Sequence, residues 1–137
     1  MFVNTQEIKL PSRIESVDAA AEAADEFAKK CGCGDECVYA LDLAIRESVA
    51  NAVKHGNKFD ENKDVEIRFS ESGDVIEICV RDFGSGFSVA DVPDPTDPEN
   101  LLKSNGRGIL FMNSFMDEVK WENPPGGGLQ VKMRKKL

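Results

Sequence analysis

Between residues 65 and 80 the chain alternates apolar and polar side chains. Val65, Ile67 and Phe69 are separated by Glu66 and Arg68, Ser72-Gly73 supplies a turn, and Val75 to Val80 returns. A period of two predicts a β-hairpin with one apolar face. The same period recurs near the C-terminal end, where Leu129, Val131 and Met133 alternate with Gln130, Lys132 and Arg134. The run Asn123-Pro-Pro-Gly-Gly-Gly128 before them predicts a turn between two last strands. Residues 6–10, closed by Pro11, form a candidate edge strand.

A helical period fills the space between these strands. The alanine-rich run from Ser16 to Lys30 predicts a helix with Ser16 as N-cap and acidic residues in its early turns. Gly32 and Gly34 break it; Asp35 is placed to cap a second, longer helix reaching His55, with Gly56 as its left-handed stop. Lys54 and His55 then sit in the last turn, where positive charge suits the helix dipole. At about 100° per residue, Val38, Leu41, Ile45, Val49 and Ala52 share one stripe, which faces the core. Glu47, Asn51 and Lys54 cluster on the opposite side, beside Ala40, Leu43 and Ala44 of the earlier turns. Such a face is by itself an ordinary solvated surface. Segment 88–105 differs, with Pro93, Pro95 and Pro98 among aspartates; a connection that long is functional or disordered. Gly106 to about Met116 reads as a short helix.

The 137 residues predict one domain spanning 1–137, large enough to bury a core without disulfides. Seventeen basic against twenty-five acidic side chains give a net charge of −8, which argues against a nucleic-acid backbone as partner. It favours a basic protein partner instead. No basic n-region with an apolar run opens the chain, and no apolar run approaches the roughly 20 residues that span a bilayer. The expected location is therefore the cytoplasm, with no membrane partner. Four cysteines are present, three of them in Cys31-Gly-Cys33-Gly-Asp-Glu-Cys37. A zinc site would need a second knuckle that the sequence lacks, so reduced thiols around a helix–turn–helix joint are expected. Cys79 falls in a strand and reads as packing.

Candidate chemistry lies in three places. Glu47 and Asn51 stand one helical turn apart, which suits base and metal-ligand duty. Ile76, Ile78, Val80 and Asp82 share one parity, so this carboxylate continues a core-facing row and needs a hydrogen-bond donor there. A bound adenine amino group is one candidate and a backbone N–H is the other. Gly84 and Gly86 permit close backbone approaches after it. Gly106-Arg107-Gly108 opens a helix, whose free N–H groups make a natural phosphate seat. A Walker A run is absent, and Asp82-Phe83-Gly84 lacks the catalytic loop of protein kinases.

Taken together, Glu47-x-x-x-Asn51, Asp82-x-Gly84-x-Gly86 and Gly106-x-Gly108 resemble the N, G1 and G2 boxes of the GHKL ATPases. The compact length, Glu47-x-x-x-Asn51-Ala-x-x-His55-Gly56 and the ending Gly108-Ile-Leu-Phe-Met-Asn-Ser-Phe-Met-Asp-Glu-Val119 are more specifically similar to anti-sigma-factor serine kinases of the RsbW and SpoIIAB type. The resemblance implies an α/β two-layer sandwich of the GHKL (Bergerat) ATP-binding fold, with a mixed, mostly antiparallel sheet and helices on one face. It implies ATP and Mg²⁺ as cofactors, with Asn51 holding the metal, Asp82 the adenine amino group, and Gly84, Gly86, Gly106 and Gly108 closing backbone around the nucleotide. Segment 88–105 would be the ATP lid and Glu47 the general base toward a partner's hydroxyl. Lys54 matches a phosphate-facing position in related histidine kinases. Characterised kinases of the group carry a basic residue just before the G2 box. Here Ser104-Asn105 stand there, and Lys103 and Arg107 flank them as candidates for its place.

The implied activity is that of an ATP-dependent anti-sigma factor and serine/threonine kinase, which binds a sigma factor and phosphorylates a STAS-type antagonist. The family usually forms homodimers. The alternative, motivated by Ser104-Asn105, is a nucleotide-gated binding module without transfer. A sensor histidine kinase is the poorer third, because His55 belongs to the N box and no helix carries a phosphoacceptor histidine.

Overall fold

The computed structural model describes residues 4–84 and 115–137. Five strands, β1 (Asn4–Pro11), β2 (Asp64–Ser72), β3 (Val75–Arg81), β4 (Glu118–Glu122) and β5 (Gln130–Lys136), build one sheet in the order β1-β2-β3-β5-β4. All four pairings among the described residues are antiparallel. Two helices, α1 (Glu15–Lys30) and α2 (Asp35–Asn51), cover one face of it. β1 is an edge strand, as Pro11 at its end predicts.

The alternating runs behave as their period requires. Val65, Ile67 and Phe69 of β2, Ile76, Ile78 and Val80 of β3, and Val131 and Met133 of β5 point into the helix-covered face. Each fully buried aliphatic side chain contributes about 1.5–3 kcal/mol, so these three rows supply much of what holds the sheet to the helices. Phe69 stacks on Phe27 of α1 at 5.6 Å between ring centroids. Arg46 of α2 bonds Asp42 at 2.7 Å within its own helix and reaches Asp18 of α1 at 2.8 Å. Both contacts are partly solvated and contribute little on their own.

Three local expectations change. Ser16 does not cap α1: Ile14 holds the cap position without a side-chain bond, and the Ser16 hydroxyl donates to the Pro11 carbonyl at 2.7 Å. Gly34, not Asp35, occupies the N-cap position of α2. The long helix also ends differently. After Asn51 it widens into a π-helical turn, Ala52–Gly56, closed by the Asn57 N–H donating to the Ala52 carbonyl at 2.8 Å. Gly56 keeps a negative φ, and the left-handed residues are Lys58 (φ 52°) and Phe59 (φ 59°). A bulky residue in that region is strained by about 1–2 kcal/mol, offset here by the Phe59 N–H donating to the Val53 carbonyl at 2.8 Å. Ala40 and Ala44 are buried as well as Leu41, Ile45, Val49 and Ala52 of the expected stripe, while Val38 is half-buried, so α2 is enclosed on two sides in its middle turns.

The cysteine corner departs from the reduced thiols expected. Cys33 and Cys37 are disulfide-bonded, with Cα atoms 5.6 Å apart. Gly32 at φ +80° reverses the chain after α1 and brings Cys33 back over the first turn of α2. Cys31 and Cys79 remain free thiols.

Candidate functional site

Asp82 follows β3 in the inward-facing row, and only 4 % of it is exposed. Its Oδ1 accepts two backbone N–H groups, from Gly84 at 3.0 Å and from Leu129 at 3.2 Å. Its own N–H donates to the Leu129 carbonyl at 3.0 Å. Of the two donors weighed for this carboxylate, backbone N–H therefore satisfies one oxygen. Neither bond uses Oδ2, which lies against Gly56. Burial raises the Asp82 pKa above the ordinary carboxylate value, while the two N–H donors, Lys63 and Arg81 pull it down.

Three glycines pack around Asp82 and Gly56 because nothing larger fits. A Cβ on Gly56 would stand 2.0 Å from Asp82 Oδ2, one on Gly84 would stand 1.9 Å from the Gly56 carbonyl oxygen, and one on Gly128 would stand 1.8 Å from the Asp82 carbonyl oxygen. Gly128 also needs its φ of +83°. Gly56, expected as a left-handed stop, is instead required for space. The 123–128 turn is held over the site by Arg81, whose guanidinium donates to the Pro125 carbonyl at 3.1 Å and the Gly127 carbonyl at 2.9 Å. That guanidinium also lies 4.6 Å over the Phe83 ring.

Asn57 fastens the assembly and was missed by the sequence reading. It is 2 % exposed. Its Oδ1 accepts the Phe83 N–H at 2.8 Å, and its Nδ2 donates to Ser12 Oγ at 2.8 Å and to the Asp64 carbonyl at 3.1 Å. The Ser12 hydroxyl passes the chain on to the Lys63 carbonyl, a 2.5 Å bond. One amide thus joins the end of α2 to the loop after β3, the start of β2 and the loop after β1. Its only advance signal was its place directly after Gly56.

Glu47 and Asn51 lie half-buried on the last turns of α2, and Lys54 is exposed in the π-helical turn. Neither the Glu47 carboxylate nor the Asn51 amide is committed to a hydrogen bond with another described residue. Asn51 offers one hard oxygen donor, and among the described residues no three His, Cys, Asp or Glu side chains gather as a metal cage. A divalent ion beside Asn51 would take its other ligands from phosphate and water, the habit of Mg²⁺. The structure brings Asp82 and Gly84 against Gly56, and Phe83 onto Asn57, the residues that follow the helix bearing Glu47, Asn51 and Lys54. Gly86, Lys103, Gly106, Arg107, Gly108 and the 88–105 segment lie outside the described residues.

Comparison with known proteins identifies the family. Residues 10–135 match the model of the histidine kinase-like ATPase domain. The serine-protein kinase RsbW of Bacillus licheniformis is 32% identical over 137 residues, which cover 96% of this chain and 84% of that one. The protein of that name from Bacillus subtilis is 31% identical with the same coverage. The one from Oceanobacillus iheyensis is 29% identical over 88% of this chain and 80% of its own. Among solved structures, the RsbU and RsbW domains of Rv1364c from Mycobacterium tuberculosis superpose with a TM-score of 0.72 at 16% identity. That match covers 98% of this chain and 32% of the longer one, and carries the fold.

Proposed function

The chain belongs to the histidine kinase-like ATPase domain family, and on that premise we propose that it is an ATP-dependent serine/threonine protein kinase acting as an anti-sigma factor. Its binding partners are a sigma factor and a STAS-type antagonist, and the antagonist's hydroxyl receives the phosphate. The observation that carries this reading is Asp82: a buried carboxylate with one oxygen fixed by two N–H groups and the other bordered by Gly56.

Such a carboxylate recognises a donor, and adenine presents its exocyclic amino group where guanine presents a carbonyl oxygen. Asp82 therefore selects ATP over GTP. Gly56, Gly84 and Gly128 let the backbone pack directly around Asp82 and so support its fixed placement. Asn51 holds Mg²⁺ through its side-chain oxygen, and the ion supplies charge neutralisation at the phosphates. Lys54 adds positive charge toward the triphosphate, a part shared with Lys103 and Arg107 flanking the second glycine pair. Glu47 accepts the proton of the incoming hydroxyl as its oxygen bonds to the γ-phosphorus and ADP leaves. The resemblance gives Gly86, Gly106, Gly108 and segment 88–105 the remaining nucleotide contacts and the lid role, all of them outside the described residues. No described helix is long and apolar enough to cross a membrane, which fits a cytoplasmic kinase.

Calorimetry with Mg-ATP, Mg-ADP and Mg-GTP tests the pocket before any partner is identified. Adenine nucleotides bind and GTP binds far more weakly on this reading. Equal affinity for ATP and GTP removes Asp82 from recognition, and no uptake of any nucleotide removes the pocket.

A further inference from the structure

The corner between α1 and α2 has no part in nucleotide chemistry, yet it holds three of the four cysteines within seven positions. Two of them are joined, Cys33 to Cys37, across the first turn of α2. Backbone bonds close the end of α1 here, the Gly32 N–H donating to the Lys29 carbonyl at 3.1 Å and the Cys33 N–H to the Ala28 carbonyl at 3.0 Å. Gly32 and Gly34 flank Cys33, and a Cβ on either would meet no heavy atom within 4 Å. The Gly34 carbonyl accepts the Val38 N–H at 2.9 Å and Cys33 packs against the core, and the sulfur bridge adds a side-chain tie from this turn to α2.

We propose that Cys33 and Cys37 form a reversible dithiol–disulfide site that exchanges with low-molecular-weight thiols and their disulfides, and that closing it fixes the first turns of α2. The chemistry of the two sulfurs is unequal. Cys33 is partly exposed and open to an incoming thiolate, whereas Cys37 is buried. Attack at Cys33 Sγ expels the Cys37 sulfur as a thiolate at the third position of α2, where free backbone N–H groups favour negative charge. A second thiolate then releases the mixed disulfide at Cys33. The balance is protein disulfide plus two glutathione thiols giving protein dithiol plus glutathione disulfide, with two electrons and two protons transferred. Cys31 stands two residues away but does not compete. Burial and its hydrogen bond to Glu71 push its thiol up to about 12, so it stays protonated and unreactive. Cys79 is buried in β3, in a different part of the fold.

The bond has a built-in reporter. Tyr39, two residues beyond Cys37, is the only tyrosine of the chain, and its ring meets Phe115 edge-on at 6.2 Å between centroids. Fixing the first turns of α2 therefore fixes this pair.

The full chain, labelled with 3-fluorotyrosine, is equilibrated across graded ratios of reduced glutathione to glutathione disulfide, then acid-quenched, alkylated and mapped by peptide mass. The expected result is that Cys33 and Cys37 lose and regain alkylation together, while Cys31 and Cys79 react as free thiols after unfolding at every ratio. The single ¹⁹F line moves in step, as it does in Cys31→Ser, and stays at its reduced position in Cys37→Ser and Cys33→Ser. Amide exchange over residues 33–39 becomes several-fold faster on reduction. Alkylation of Cys33 and Cys37 at every ratio overturns the couple, and a bond that excess glutathione never opens overturns its reversibility. A ¹⁹F line indifferent to the bond overturns the ordering of α2. None of these outcomes touches the kinase reading, which nucleotide titration tests separately.

Discussion

The side-chain oxygen of Asn57 accepts the backbone N–H of Phe83 at 2.8 Å, joining the residue after the π-helical turn that ends α2 to the residue after Asp82. Helix and loop come from opposite sides of the β2–β3 hairpin, so this bond fixes where Asp82 sits relative to α2. Asn57→Ala removes three hydrogen bonds, one buried and two part-buried, and leaves the Phe83 N–H without its partner. A loss of about 2–4 kcal/mol in stability is expected, with ATP affinity falling further than unfolding alone accounts for. Urea denaturation paired with nucleotide titration below the unfolding midpoint checks it; an unchanged midpoint would show that water replaces the amide without cost.

Gly56→Ala tests the space around the carboxylate rather than the backbone. Gly56 has a negative φ, so alanine suits the main chain, but its Cβ would stand 2.0 Å from Asp82 Oδ2. The carboxylate must shift, and ATP affinity should drop by about tenfold or more, which is about 1.4 kcal/mol. Gly34→Ala is the control: its Cβ meets open space, so stability changes by no more than about 1 kcal/mol and nucleotide binding stays the same. Equal effects from the two substitutions would show that helix geometry, not contact with Asp82, explains Gly56.

Asp82→Asn separates stability from recognition. The folded-state pKa of Asp82 is raised by burial from its ordinary value of 3.8, so its ionised form is less favourable in the folded chain than in the unfolded one. This group therefore costs stability once pH rises past that ordinary value, and the cost is complete above the raised one. The cost is absent below pH 3.8. An amide keeps an oxygen for the Gly84 and Leu129 N–H groups and carries no charge. Without nucleotide, Asp82→Asn should melt at or above the wild-type temperature at pH 7, with the gap narrowing as pH falls toward 4. Adenine binding should weaken by about 1–3 kcal/mol, since one acceptor is lost. Melting curves from pH 4 to 8 beside ATP titrations check both halves; a variant less stable at every pH contradicts the burial argument.

These outcomes also show which parts of the molecule the amino-acid pattern determines by itself. The inward rows of β2, β3 and β5 were legible because a period of two needs no tertiary knowledge. Asp82 was legible for the same reason, as the next member of the Ile76–Ile78–Val80 row. The π-helical turn was not, because one extra residue in the helical register leaves no mark on the apolar spacing of Val49, Ala52 and Val53. Gly56 was noticed but for the wrong reason: sequence suggests freedom of φ, whereas the requirement is a close approach by a carboxylate 26 positions later. Asn57 was invisible because its partners, Ser12, Asp64 and Phe83, meet only in the folded chain. The Cys33–Cys37 bond depended on the φ of Gly32, which spacing alone does not specify.

Glu47 and Asn51 stand one turn apart on α2, and their proposed roles predict opposite failures. Glu47→Gln keeps the size and removes the proton acceptor. ATP should bind as before, while phosphate transfer to a partner hydroxyl falls by about 10²–10⁴-fold, the usual contribution of a general base. Asn51→Ala removes the oxygen assigned to the metal. ATP affinity should then become insensitive to magnesium, and transfer should fall because the phosphates lose their charge neutralisation. The two are told apart by measuring ATP affinity with and without magnesium, and transfer at saturating nucleotide, for each variant. Magnesium still sharpening ATP binding in Asn51→Ala places the ion elsewhere, and transfer by Glu47→Gln at the wild-type rate leaves positioning and charge neutralisation as the whole of the catalysis.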